Sequence, residues 1–314
     1  MIITCHIMQW LGLELAWWFN IGVQIFLCIS GWLYGQRDVS EITIFYNRRF
    51  KKILLPYFIV FISCGIIQFL FVRSVFKSTI FIKGLFINAT LTGGEHLWFI
   101  STILLCYILT PLLQAYRNKY VKDQKNLLLF FVGAVIIIYI FFGAFNELYN
   151  PAWINCYIIG YLLGVNDNRN YINVKILIAL IGIITIMCNG IQIYCSYIIY
   201  RNFQGYQYFC NYNHVTLGVF LFLTMKVLFD RMNLVKLDKI LTIIDLYSYE
   251  IYLVHQFIIL GPFSLMAFTE ILPINILIIF VGVIVLAWIL KNMEEVVEYV
   301  ILYFVGNNKN ITGM

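Results

Sequence analysis

The side chains in this sequence best suited to moving a proton near neutral pH are its four histidines, His6, His96, His214 and His255. His6, His96 and His255 sit in or at the edge of apolar stretches, and His214 opens another. An imidazole can act as a general base toward a hydroxyl or thiol. Ionisable groups inside long apolar segments are costly, which makes them functional candidates by default. The competing reading of each is a packing histidine, hydrogen-bonded to a neighbouring carbonyl.

A second candidate is the basic run Arg48-Arg49-Phe50-Lys51-Lys52, followed directly by Ile53-Leu54-Leu55-Pro56-Tyr57. On composition alone it reads as a membrane-surface anchor touching anionic head groups. Its chemical alternative is a phosphate clamp for a cytosolic nucleotide-like ligand, since guanidinium forks suit phosphate oxygens. Glu14, Glu95, Asp245 and Glu250 lie near the edges of apolar segments. Glu250 precedes His255 by five residues, which puts the two on different faces of an ideal helix and disfavours a dyad between them. A proton-relay glutamate, as in a transporter, stays open. The sequence contains no Walker loop, GxGxxG or HExxH, so nucleotide hydrolysis and zinc proteolysis have no motif behind them. Eight cysteines, with no CxxC among them, are spread through apolar segments and read as small buried hydrophobes rather than as a metal or disulfide framework.

The elements that must position these groups are membrane helices. The 314 residues are 62% hydrophobic and only 11% charged, against roughly 25% charged in a soluble domain. In water such a chain would expose large apolar patches; in lipid it need not hide them. Apolar runs of about 20 residues suit spanning helices, and their continuity is unlike the alternation of a membrane β-barrel. The fold class expected is all-α, a polytopic transmembrane helical bundle of about ten spans. These fall at 1–10, 17–35, 53–73, 96–115, 126–145, 152–165, 174–199, 214–229, 247–268 and 273–292, with a polar-ended tail over 293–314 that is amphipathic at first. The 152–165 segment is short, and is extended by its flanks or strongly tilted. One integral membrane domain over 1–314 is expected, without a soluble domain.

Basic residues sort by loop. Alternate loops carry Arg37, Arg48, Arg49, Lys51 and Lys52; Arg117, Lys119, Lys122 and Lys125; Arg169 and Lys175; and Lys226, Arg231, Lys236 and Lys239. The intervening loops hold only Arg73, Lys77, Lys83 and Arg201. The positive-inside rule puts the first set, and both termini, in the cytoplasm. The net charge of +6 therefore reads as membrane orientation, not as a nucleic-acid footprint. The first span is expected to be truncated. It holds about ten residues, enough to cross half of the hydrocarbon core, and lacks the basic start and cleavage site of a signal peptide.

Five strings, in order, resemble the membrane acyltransferase family 3. They are GVQIFLCISGWLYG, RRFKKILLPYF, HLWFISTILLCYILTPLL, INCYIIGYLLG and SYEIYLVHQF, and the order and rough spacing agree from residue 1 to about 292. The resemblance implies an integral membrane O-acyltransferase of ten helices in a bacterial inner (plasma) membrane. Such an enzyme moves an acyl group, commonly acetyl, from cytosolic acyl-CoA to a hydroxyl of a surface or lipid-linked glycan. It implies no permanently bound cofactor and no metal; acyl-CoA is the donor substrate, and the partners are the glycan acceptor and membrane lipid. By position His6 matches the family's first-helix histidine, which would serve as base toward the sugar hydroxyl or carry the acyl group itself. Arg49 and Lys52 match the Arg-x-x-Arg loop, and with Arg48 would meet the phosphates of CoA. His96, Trp98 and His255 match motif positions that line the substrate cavity.

Two departures bear on this. The family's arginine ten residues before the first-helix histidine would precede Met1, as a mis-called start would explain. Lys52 is a point charge where the family has a fork. Two rival classes remain: a transporter or flippase for a lipid-linked glycan, and a catalytically inactive relative. A transporter often carries repeated halves, yet Gly160 and Gly164 sit in one helix without an identifiable counterpart. The sequons at Asn88 and Asn310 read as chance. The loops at about 74–95 and 200–213, rich in Asn, Gln and Tyr, are sugar-contacting candidates by composition. Acyl identity, acceptor and oligomeric state leave no mark in the sequence.

Overall fold

The computed structural model describes residues 1–85, 91–143, 151–169, 172–197, 206–232 and 238–311. Asn88, Arg201, Lys236 and Thr312 of the second sequon lie outside them, as do parts of both sugar-loop candidates. Twelve α-helices are found among the described residues, and no strand: α1 (Ile2–Trp10), α2 (Ala16–Phe19), α3 (Gly22–Gly35), α4 (Ile42–Phe71), α5 (Ser78–Leu85), α6 (Trp98–Tyr120), α7 (Gln124–Gly143), α8 (Pro151–Arg169), α9 (Val174–Tyr197), α10 (Tyr206–Arg231), α11 (Asp238–Val254) and α12 (Leu272–Ile311). Single 3-10 turns precede α6 (Glu95–Leu97) and follow α11 (His255–Ile258). Among the described residues six stretches are long and apolar enough to cross a bilayer: Ala16–Gly35, Ile42–Phe71, Glu95–Tyr120, Val174–Ser196, Phe209–Arg231 and Leu272–Tyr303. The chain is a multi-pass membrane protein.

The chain divides into two compact units. One comprises Met1–Cys5, Glu14–Tyr46 and Ser101–Leu234. Its centre is the crossing of α3 and α8, where two Gly-x-x-x-Gly pairs face each other. A Cβ added at Gly31 would stand 2.0 Å from the Tyr157 carbonyl oxygen, and one at Gly160 would stand 2.0 Å from that of Cys28. With no side chain at these positions the backbones come into contact, the usual route to tight helix packing where lipid supplies no hydrophobic drive. Gly31 and Gly35 are thus the packing counterpart of Gly160 and Gly164. The short 152–165 segment is extended by its flanks to the 19 residues of α8, most of them buried. At the other extreme α9 presents Leu180, Ile183 and Ile186 outward, the last 74% exposed, which suits lipid and not water.

The other unit comprises His6–Leu13, Asn47–Ile100 and Val235–Met314. Here α4 runs on through Pro56. The next residue, Tyr57, donates its hydroxyl hydrogen to the Gly84 carbonyl (2.8 Å), and Phe61 stacks on Phe81 (5.4 Å), which ties α4 to α5. The expected span at 247–268 is not one helix. It ends at Val254, passes through the 3-10 turn and continues in turns to Leu272. Pro262 keeps helix from resuming directly after the 3-10 turn, because it lacks an N–H and disfavours helical backbone at the residue before it. The Gln256 carbonyl instead gathers the N–H groups of Ile259, Leu260 and Gly261. α12 has 40 residues, about 60 Å at helical rise, so it outruns a hydrocarbon core of roughly 30 Å.

Candidate functional site

Three of the four histidines meet in the second unit. His6 comes from α1, His96 from the 3-10 turn ahead of α6, and His255 from the first residue after α11. Ring centroids are 5.0 Å apart for His6 and His255, 4.8 Å for His96 and His255, and 6.5 Å for His6 and His96. All three are buried, and His255 is wholly so.

The broken end of α11 builds this cluster. The last carbonyls of a helix have no intrahelical partner and must find donors elsewhere. Nδ1 of His255 lies 2.7 Å from the Tyr252 carbonyl and 3.2 Å from that of Ile251, while Nε2 of His96 lies 3.2 Å from that of Leu253. A carbonyl only accepts, so each of these nitrogens carries the hydrogen and its neutral ring is held in one tautomer. The opposite nitrogens, Nε2 of His255 and Nδ1 of His96, are then bare acceptors, buried without a partner. At His6, Nδ1 lies 2.5 Å from Oε1 of Gln9 on the same helix. The amide oxygen makes Nδ1 the donor and leaves Nε2 as the lone pair. Three imidazoles thus present three proton-accepting nitrogens in one buried cluster.

A second layer braces the rings. Gln256 accepts from the His96 backbone N–H (3.2 Å) and donates to Glu95 (2.8 Å), and the Tyr252 hydroxyl donates to the His96 carbonyl. Trp98 opens α6 two residues on, half-buried, with its indole 6.2 Å from Phe99. His214 belongs to the first unit, where its Nε2 donates to the Trp17 carbonyl (3.0 Å) and its ring stacks on Trp17 (3.7 Å). That is the packing role.

The basic run faces a cavity of about 290 Å³ in the same unit as the three rings, between α4, α11 and α12. Arg48, Lys51, Lys52, Leu55 and Pro56 form one wall, the i, i+3, i+4, i+7, i+8 stripe of a single helix face. Arg49 falls off that stripe and is half-buried. The facing wall holds Glu250, Lys291, Glu294 and Glu298. Lys291 bridges Glu250 (2.9 Å) and Glu294 (3.0 Å), and Glu298 pairs with Lys51 (3.4 Å). Glu250 therefore turns to α12 and not to His255. Gln9, Tyr252 and Lys291 were not singled out from the sequence. For Lys291 the signal was present, a lone cation in an apolar span; for Gln9 it was only its i+3 spacing from His6.

An acyltransferase domain model of family 3 matches residues 1–292. The chain belongs to acyltransferase family 3. No curated protein and no solved structure matches it. As a family 3 acyltransferase the protein carries out acyl transfer, and the matched stretch contains every residue of the histidine cluster and, apart from Glu294 and Glu298, every named residue of the charged cavity.

Proposed function

We propose that this acyltransferase takes an acyl group, acetyl in the first instance, from cytosolic acyl-CoA and transfers it to a hydroxyl of a surface or lipid-linked glycan. His6 is the general base. The observation that carries the reading is the convergence of His6, His96 and His255 from three separate segments, each ring with one nitrogen tied to an oxygen, and with Nδ1 of His96 and Nε2 of His255 buried without a partner. Packing histidines have no need to meet, and unpartnered buried acceptors are costly unless a ligand hydroxyl supplies the hydrogen. The O–H proton of the acceptor passes to Nε2 of His6 as its oxygen bonds to the thioester carbonyl carbon. The tetrahedral adduct then expels the thiolate, which recovers the proton from Nε2.

The donor's phosphates dock on Arg48 and Lys52, the two cations of the cavity wall that make no ion pair among the described residues; Arg49 lends charge from the neighbouring face. Glu250 and His255 lie five residues apart, about 8 Å along the helix axis, so a flexible arm can join cavity and cluster. His96, His255 and Trp98 border the acceptor. We further propose ten spans in the inner membrane, with the basic loops in the cytoplasm. The test is His6→Ala in cells lacking the native gene, with glycan acylation followed by mass spectrometry. Loss of the acyl group at normal protein level is expected; full acylation overturns the assignment of His6.

A further inference from the structure

The facing wall of the charged cavity does not look like a phosphate clamp. Lys291 is shared by two carboxylates, and each of them keeps a second oxygen, Oε2 of Glu250 and Oε1 of Glu294, buried without a hydrogen-bond donor. The two residues are 3% and 8% exposed and both line the cavity. A carboxylate only accepts hydrogen bonds, and a buried bare one is expensive to leave unmet. The cavity thus has two chemically opposite sides. Arg48 and Lys52 on α4 seek an anion, whereas the oxygens from α11 and α12 seek N–H or O–H donors. A ligand that satisfies both must carry phosphate at one point and hydrogen-bond donors at another.

An adenine nucleotide has this pattern, since its exocyclic amine offers two N–H groups beside a phosphorylated ribose. A volume of about 290 Å³ corresponds to roughly ten waters, enough for a base and part of its sugar. We propose that Glu250 and Glu294 recognise the amino group of the donor's purine base while Arg48 and Lys52 hold its phosphates. This assignment rests on the acyl-CoA reading above and makes the nucleotide end, not the acyl end, the part of the donor that this cavity selects. Lys51, engaged by Glu298 (3.4 Å), stands aside from it.

Phosphopantetheine shares the thiol arm and a phosphate with CoA but has no base, which gives a direct test. The full chain in nanodiscs of phosphatidylcholine, whose head group has no N–H, is titrated with CoA and with phosphopantetheine. Glu250→Gln keeps the shape and removes the charge; Glu294→Gln is the second variant should the first accumulate poorly. Each is expected to weaken CoA binding about tenfold, the scale of a charge-assisted bond reduced to a neutral one, and phosphopantetheine binding less than twofold. An equal loss on both ligands, or no loss on either, overturns base recognition; the latter is what a proton shared between the two carboxylates would give. If the unaltered protein binds neither ligand, the acyl-CoA reading falls as well.

Discussion

At the scale of single residues, the catalytic claim depends on which nitrogen of His6 carries the hydrogen. Gln9 decides this, because its amide oxygen sits 2.5 Å from Nδ1 and can only accept. Gln9→Leu should leave His6 in place but free its ring to turn, lowering kcat about 10- to 100-fold, the scale known for losing a partner that orients a metal-bound imidazole. Gln9→Glu keeps an acceptor at the same reach and should retain most of the activity. Initial rates on purified protein, matched for thermal stability, separate the two. The histidines stand out one by one as ionisable groups near apolar stretches, Arg48, Arg49 and Lys52 as a basic run, and Trp98 only through the family resemblance. Which of them meet was not. His214 is an imidazole like His255, yet its Nε2 found the Trp17 carbonyl (3.0 Å) and it became a packing residue.

At the scale of helices, the crossing of α3 and α8 is the most sharply determined contact in the first unit. Gly160→Ala would put a methyl carbon 2.0 Å from the Cys28 carbonyl oxygen, and two backbones cannot yield locally as a side chain can. We expect a loss above roughly 3 kcal/mol, in the range of severe overpacking, seen as a collapse of the monodisperse peak in detergent chromatography. Gly133→Ala on α7 is the control. Its Cβ meets nothing within 4 Å, so it should be neutral or gain up to about 1 kcal/mol from helix propensity. Helix positions over most of the chain followed from apolar run length alone. At 247–268 a largely apolar composition concealed a helix end, α5 formed within a segment expected to be a loop, and α4 and α10 begin before the apolar runs that announced them. Hydropathy averages over a window and has no memory of backbone hydrogen bonds, so it passed over the end of α11 at Val254.

At the scale of the whole molecule, the sorting of lysine and arginine among loops gives a topology that accessibility can check. Single cysteines placed at Lys122 and Lys175 in a cysteine-free background should react with an impermeant maleimide only after the cells are opened. One at Lys77 should react in intact cells. Labelling of Lys122 from outside would overturn the orientation, and with it the route of a cytosolic donor to the cavity beside Arg48 and Lys52.

The amino-acid sequence by itself determined the solvent of this protein, its helical class, its family and the residue types able to do chemistry. These properties follow from composition and from short-range order, which is why they survive without coordinates. The tertiary structure alone decided that His6, His96 and His255 share one cluster, that the end of α11 fixes the hydrogen on two of them, and that Lys291 draws Glu250 and Glu294 together opposite the basic run. Each of these joins residues far apart in the chain. Their meeting is set by where helices stop and how closely backbones pack, and neither is written in the hydropathy of any one segment.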